Sequence, residues 1–205
     1  MSTPEPITKK RLLVVEGEDE INFFEKLLKY INMTDLVDIR EVGGKAQFKN
    51  KMPVLQKASG FNKLEHIAII RDADENAAGA FASIVGIINN IGLTPPGKAG
   101  QFSSSEPRVG IFIMPDNASK GMLEDLCLRT VEDCKVIECV SGFFDCVKEK
   151  ELKHPPKNLS KAKAQAFLAA MPEIANSVGV GALKGYWGFD SEELKPLIHF
   201  LGQLK

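Results

Sequence analysis

Long apolar runs, paired cysteines and an excess of one charge are all missing from this 205-residue sequence. No stretch approaches the roughly 18 apolar residues that a membrane span requires, so a membrane role is not expected. The four cysteines, Cys127, Cys134, Cys139 and Cys146, include no CxxC pair and fall inside apparent helix and strand patterns. That spacing suits no zinc site, and with nothing pointing to secretion the expectation is reduced thiols in the cytoplasm. Lys and Arg number 26 against 27 Asp and Glu, a net of -1, so no overall field points to a partner. Nucleic acid is not thereby excluded, because binding depends on local patches. His66, His154 and His199 share no ligand spacing, and neither a GxSxG motif nor a P-loop is present. Serine hydrolysis and Walker-type ATP binding by this chain are therefore unsupported. Residues 1–10 are polar with two prolines and lack the apolar core of a signal peptide. They read as a short disordered lead.

What is present suits an α/β domain. Apolar residues make up 44% of the chain, enough to bury a core. Four apolar runs read as strands: Arg11–Glu16, Leu36–Val42, His66–Asp72 and Arg108–Pro115. The first, third and fourth are near-continuous rather than alternating, which is how strands read when helices cover both faces of a parallel sheet. Helical patterns lie between them at Asp19–Ile31, Lys45–Ala58 (interrupted by Pro53), Asn76–Ile91 and Met122–Val131. The alternation predicts a sheet of about four mainly parallel strands, Rossmann-like, flanked by helices. Gly92–Pro107 reads as an insertion or a β-hairpin, and Val136–Val140 as a fifth strand followed by a helix near Asp145–Lys150. Ser160 is the expected cap of an alanine-rich helix, and Asp190 or Ser191, with Glu193, that of the last one. The whole reads as a single domain over 11–205, with its core at about 11–130 and a helical C-terminal elaboration over 131–205.

Acidic residues gather at the expected strand ends. The first run ends in Glu16-Gly17-Glu18-Asp19-Glu20, the third in Asp72-Ala73-Asp74, and the fourth in Pro115-Asp116-Asn117. Functional groups in parallel α/β sheets collect beyond the carboxyl ends of the strands. Crowded carboxylates raise one another's pKa and are costly unless a cation sits among them. Hard oxygen ligands suit Mg²⁺ or Mn²⁺. Glu16, Asp72 and Asp74 are thus the leading metal-site candidates, with Glu20 and Asp116 beside them. Asp116 lies at a strand end, while Asn117 or Ser119 is a candidate cap for the next helix. Of Glu124 and Asp125, only one can face the site. Gly43-Gly44-Lys45 follows the second strand, and either cradles a phosphate or forms a tight turn with a solvated lysine. The basic stretch Lys148–Lys163 either follows a nucleic-acid backbone or is a solvated surface. Tyr186 and Trp187 either stack on a base or, the favoured reading, anchor helix to core.

The segment Glu16-Gly17-Glu18-Asp19, followed later by Asp72-Ala73-Asp74, resembles the Toprim domain. That domain is shared by topoisomerases, bacterial primases, small repair proteins and nucleases of the overcoming-lysogenization-defect type. The likeness covers roughly Arg11 to Leu128. Met114-Pro-Asp-Asn117, Gly121-Met-Leu-Glu-Asp125, Lys161-Ala and Gly185-Tyr-Trp-Gly-Phe-Asp190 also resemble an uncharacterised bacterial Toprim-related family, over nearly the whole chain. The resemblance implies Glu16 as general acid or base, Asp72 and Asp74 as paired metal ligands, and Glu20 as the second acid of the nuclease branch. Arg71 departs from the apolar residue common at that position, and either reaches a phosphate or pairs with an acid. The activity implied is Mg²⁺-dependent phosphodiester chemistry on DNA or RNA, most plausibly as a nuclease. The alternative is a non-catalytic nucleic-acid or partner-binding module with a structural metal. Analogy alone adds a separately encoded ATPase as partner, and an oligomer is compatible with the sequence.

Overall fold

The computed structural model describes residues 4–150 and 154–205. A five-stranded sheet in the order β2-β1-β3-β5-β4 runs through its centre. β1 (Arg11–Val15), β2 (Val37–Glu41), β3 (His66–Asp72) and β5 (Arg108–Met114) are mutually parallel. The two-residue β4 (Gln101–Phe102) pairs antiparallel with β5, which adds one strand to the four expected and makes a short hairpin of the Gly92–Pro107 segment.

Side chains alternate across a pleated sheet, and the continuous apolar strands feed a core on each face. Leu12, Val14, Ile67, Ile69, Ile111 and Ile113 pack under α2 (Phe48–Leu55) and α3 (Ala77–Asn90). Leu13, Val15, Ala68, Ile70, Phe112 and Met114 face the other way. They meet α1 (Glu18–Tyr30), α4 (Leu123–Arg129), α6 (Leu159–Ala169), α7 (Val178–Leu183) and α8 (Lys195–Gly202). On α1, Phe23, Phe24, Leu27 and Leu28 recur at helical spacing and are all buried. Trp187 belongs to this second core: it stacks on Phe167 at 5.2 Å between centroids and donates from Nε1 to the Val178 carbonyl at 2.8 Å. It is a packing residue rather than an exposed platform for a base.

Several expectations need correction. Val136–Val140 is not a strand but the first part of α5 (Lys135–Glu149). Val136, Ile137, Val140, Phe144 and Val147 follow a helical period once the run is read beyond Val140. Lys45–Ala58 divides into a 3-10 turn at Lys45–Gln47 and then α2. Asn158, not Ser160, caps α6 by accepting from the Lys161 N–H at 2.8 Å. Ser191 caps a 3-10 turn, Glu192–Leu194, that leads into α8, while Glu193 lies 3.8 Å from Arg129. The expected disordered lead is packed over its described part: Ile7 is buried, and the Thr8 and Lys9 N–H groups donate to Asp38 at 2.7 and 3.0 Å. Residues 1–3 and 151–153, the latter within the basic stretch, lie outside the described residues. No helix among the described residues is long and apolar enough to cross a membrane.

Candidate functional site

The site forms at the carboxyl edge of the sheet because three chain segments are stitched together there. Glu16 follows β1, and its Oε1 accepts the backbone N–H of Asp72 at 3.2 Å, prolonging the contact between β1 and β3. Gly17 then opens α1, and its N–H donates to the Glu20 carboxylate at 3.0 Å. At the end of β3, Asp72 Oδ1 accepts the N–H of Leu123 at 3.1 Å. Asp74 adopts a left-handed backbone (φ 50) and exchanges two backbone bonds with Gly121, at 2.9 and 2.8 Å. The segment before α4 is therefore zipped along Asp72–Asp74. Leu123, Leu126 and Cys127 face the core, which turns Glu124 toward the acids.

Glu20, Asp72 and Glu124 line one wall of a cleft of ≈ 500 Å³, with Lys161 and Asn176 also in its lining. α7 lies flush against α1 beside this cleft. A Cβ on Gly179 would stand 2.5 Å from the Asp19 carbonyl oxygen, so glycine is what permits the approach.

The carboxylates burden one another. Asp72 is pushed well above the usual aspartate range by burial, then by the charges of Glu16, Glu20, Glu124 and Asp74. Burial also raises Glu20, reinforced by Glu16, Asp19 and Glu124. Glu124 is raised by burial too, against the pull of Lys161, whose Nζ is 3.6 Å from Oε1. Glu16 is raised by burial, opposed by its hydrogen bond from the Asp72 N–H and by Arg71.

A more balanced cluster of charges lies beside the loop after β2. Lys45 Nζ donates to Asp74 at 2.8 Å, and this contact raises the lysine. Arg71 Nε stands 3.9 Å from Glu16 Oε1, and that buried nitrogen has no hydrogen-bond partner among the described residues. Gly43 and Gly44 have φ of 79 and 101, and the Gly44 N–H donates to the Glu16 carbonyl at 2.7 Å. The structure thus brings Glu16, Glu20, Asp72 and Asp74 together, with Lys45 and Arg71 beside them.

Asp116 is not brought in. It accepts from the Ala118 and Ser119 N–H groups at 3.0 and 2.6 Å and from Arg129 at 2.8 Å. Burial alone would raise it, but these donors hold it far below the usual range. It stabilises its own turn and does not line the cleft. Asn117 instead accepts the Ile113 N–H at 2.9 Å, and neither it nor Ser119 caps α4, whose first turn is closed by Asp125 accepting the Met122 N–H. Glu124 takes the place expected of Asp116. Its signal in the sequence was the apolar 123, 126, 127 pattern, which leaves 124 on the flank of the core face and 125 about 100° further round. Lys161 was marked in the sequence by the Lys161-Ala resemblance and the basic stretch, but its place beside Glu124 was not, because only tertiary packing brings α6 to the cleft.

All the converging donors are hard oxygens, a set that fits Mg²⁺ or Mn²⁺ by its chemistry. Among the described residues, no group of three or more His, Cys, Asp or Glu side chains is placed so that it could hold a metal ion by itself. Mg²⁺ sites commonly use one or two carboxylates and complete the shell with water and phosphate oxygens.

Residues 10–205 match the family described as protein of unknown function (DUF3226), and the chain belongs to that family. No curated protein matches it. Among solved structures, the C-terminal region of the Xanthomonas campestris pv. campestris OLD protein is similar at 16% identity and a TM-score of 0.49, over 96% of each chain. The C-terminal region of the Burkholderia pseudomallei OLD protein is similar at 14% identity and a TM-score of 0.48, over 97% of this chain and 100% of that one. Hypothetical protein PH0156 from Pyrococcus horikoshii OT3 is similar at 13% identity and a TM-score of 0.46, over 96% and 95%. Scores at this level describe a broad likeness of chain path.

Proposed function

We propose that this member of the DUF3226 family is a Toprim-type, divalent-metal-dependent phosphodiester enzyme that hydrolyses nucleic acid. The observation that carries the reading is the convergence of Glu16, Glu20, Asp72 and Glu124, each held above its ordinary pKa in a site of limited exposure. The likeness of Glu16-Gly17 and Asp72-Ala73-Asp74 to the Toprim motifs supports the same reading.

Asp72, Glu20 and Glu124, with Glu16 and Asp74 alongside, are the residues that would hold Mg²⁺ or Mn²⁺. When bound, such an ion polarises phosphoryl oxygens and lowers the pKa of a bound water. The chain's own groups supply the rest. Glu16 uses Oε1 to accept the Asp72 N–H, which leaves Oε2 to hold or release a proton. Burial raises its pKa, which makes it a stronger base than an ordinary glutamate. Lys161 beside Glu124 and Lys45 beside Asp74 offer cationic contacts to a phosphate backbone. The Arg71 guanidinium offers charge next to Glu16. In the reaction a water oxygen bonds to phosphorus as its proton passes to Glu16, the phosphorus–oxygen bond to the leaving sugar breaks, and the departing oxygen takes up a proton from Glu16 or solvent.

The test is cleavage of plasmid, single-stranded DNA and RNA with Mg²⁺ or Mn²⁺. Wild type should cut, and Glu16→Gln and Asp72→Asn should each lose roughly 10²–10⁴-fold in rate, the span for a positioned acid or base. Cleavage undiminished in both variants removes this site from the mechanism. Binding of metal and nucleic acid without turnover replaces the enzyme with a binding module.

A further inference from the structure

Ser160 is free of the capping role that its position in the sequence suggests, because Asn158 caps α6. Its hydroxyl donates instead to Asp125 Oδ1 at 2.6 Å. The other oxygen of the same carboxylate, Oδ2, accepts the Met122 N–H at 2.9 Å and so closes the first turn of α4. Gly121 makes room for it: a Cβ there would lie 2.9 Å from Asp125 Oδ2 and 3.2 Å from Pro115 Cδ. One carboxylate therefore ties the start of α4 to the start of α6.

The residues adjacent to both anchors point into the cleft. Glu124 precedes Asp125, and Lys161 follows Ser160, with Lys161 Nζ 3.6 Å from Glu124 Oε1. Leu123, one residue further back, donates its N–H to Asp72. We propose that Asp125 is a positioning residue: through Ser160 and the Met122 N–H it fixes the pairing of Glu124 with Lys161 in the cleft and the bond from Leu123 to Asp72. Asp125 itself touches neither metal nor substrate. The proposal rests on the reading of the cleft as a metal-dependent site. Its physical basis is that ligand groups hold their geometry only when the groups behind them are hydrogen-bonded, and loss of such partners typically costs 10–100-fold in metal affinity or activity.

The experiment uses the full chain with Ser160→Ala, Ser160→Thr and Asp125→Asn, read by Mn²⁺ titration calorimetry, cleavage kinetics and thermal melting. Alanine at 160 keeps a good helix former, so α6 should be retained. Ser160→Ala and Asp125→Asn should weaken Mn²⁺ binding and lower kcat on the order of 10-fold. The Ser160→Ala melting temperature should stay within a few degrees of wild type, and Ser160→Thr, which keeps the hydroxyl, should recover both readouts. Wild-type Mn²⁺ affinity and kcat in Ser160→Ala and Asp125→Asn overturn the proposal. So does a loss that Ser160→Thr fails to recover, or one that merely tracks melting temperature. Should wild type bind Mn²⁺ yet cleave nothing, the enzymatic reading fails, and the titration alone decides the role of Asp125. Wild type that binds no Mn²⁺ removes both.

Discussion

Asp72 and Asp116 stand at the ends of neighbouring strands, and in the sequence both are acids at a strand end, Asp72 the leading candidate and Asp116 beside it. Asp72 closes β3 in register with Met114, the last residue of β5, and Asp116 follows two residues later. Their surroundings are opposite. Asp116 is served by two backbone N–H groups of its own turn and by Arg129, and its pKa is held far down. Asp72 accepts the Leu123 N–H and otherwise faces Glu16, Glu20, Glu124 and Asp74, and its pKa is driven up. A carboxylate whose partners are supplied locally is finished as a piece of structure. One surrounded by its own kind is stable as an anion only if a cation comes from outside. The count of donors against acids, rather than the position at a strand end, separates a cap from a binding site.

The strongest way to break that contrast is to supply the cation. At neutral pH, Mg²⁺ or Mn²⁺ at 100 times its Kd should stabilise the protein by about 2.7 kcal/mol. For a chain of this size that corresponds to a rise of roughly 5–10 °C in melting temperature. Asp72→Asn should abolish the rise, and Asp116→Asn should keep it while lowering the metal-free melting temperature, since a charged hydrogen bond is worth about 1.5–3 kcal/mol. An equal loss of the metal effect in both variants would erase the distinction.

A smaller effect, visible without metal, is the pH dependence of stability. Asp72, Glu16, Glu20 and Glu124 have folded pKa values above the unfolded ones. Between those values the folded chain binds more protons, so these groups cost stability as pH rises above about 4. Asp116 has the opposite sign: its contribution is complete above about pH 4 and is lost as pH falls below it. Urea unfolding of each variant minus wild type, from pH 3 to 7 on the order of half-unit steps, cancels the other titrating groups. Asp72→Asn should lose less stability than wild type on the rising side, and Asp116→Asn less on the acid side. Variants that parallel wild type throughout would contradict the assigned environments.

The contrast also explains what could be read from the sequence. β1, β3 and β5 were legible to within a residue, because a strand covered on both faces must be apolar at every position, as Leu12–Val15, Ile67–Ile70 and Val109–Met114 are. Val136–Val140 misled because five residues rich in β-branched side chains fit either period, and only Phe144 and Val147 beyond them decide for the helix. Glu16, Asp72 and Asp74 were legible because strand ends place them. Asp116 misled because its donors, the N–H groups of 118 and 119 and the Arg129 side chain, depend on a turn conformation and a helix direction. Glu124 and Lys161 meet only when α4 and α6 pack, and Ile7 joins a core of distant residues, its N–H donated to the Ser59 carbonyl at 2.8 Å. Contacts of that kind leave no local pattern.

Asp74 lies between the two extremes, and Lys45 decides where it belongs. Its partner comes neither from its own turn nor from outside but from the loop after β2, at 2.8 Å, with the lysine 54% exposed. An exposed pair of this kind contributes about 0–1 kcal/mol, so Lys45→Ala should barely change the melting temperature. Its effect on nucleic-acid binding should be more informative. A lysine that leaves Asp74 to meet a phosphate releases one counterion, so the slope of log K against log salt should become shallower by about 1 in Lys45→Ala. A lysine whose work is confined to neutralising Asp74 leaves that slope unchanged. Fluorescence anisotropy of a labelled oligonucleotide over a salt series measures the difference. An unchanged slope would move Asp74 toward Asp116, as an acid already satisfied by the fold. A shallower one would group it with Asp72, as an acid whose partner is exchanged when substrate arrives.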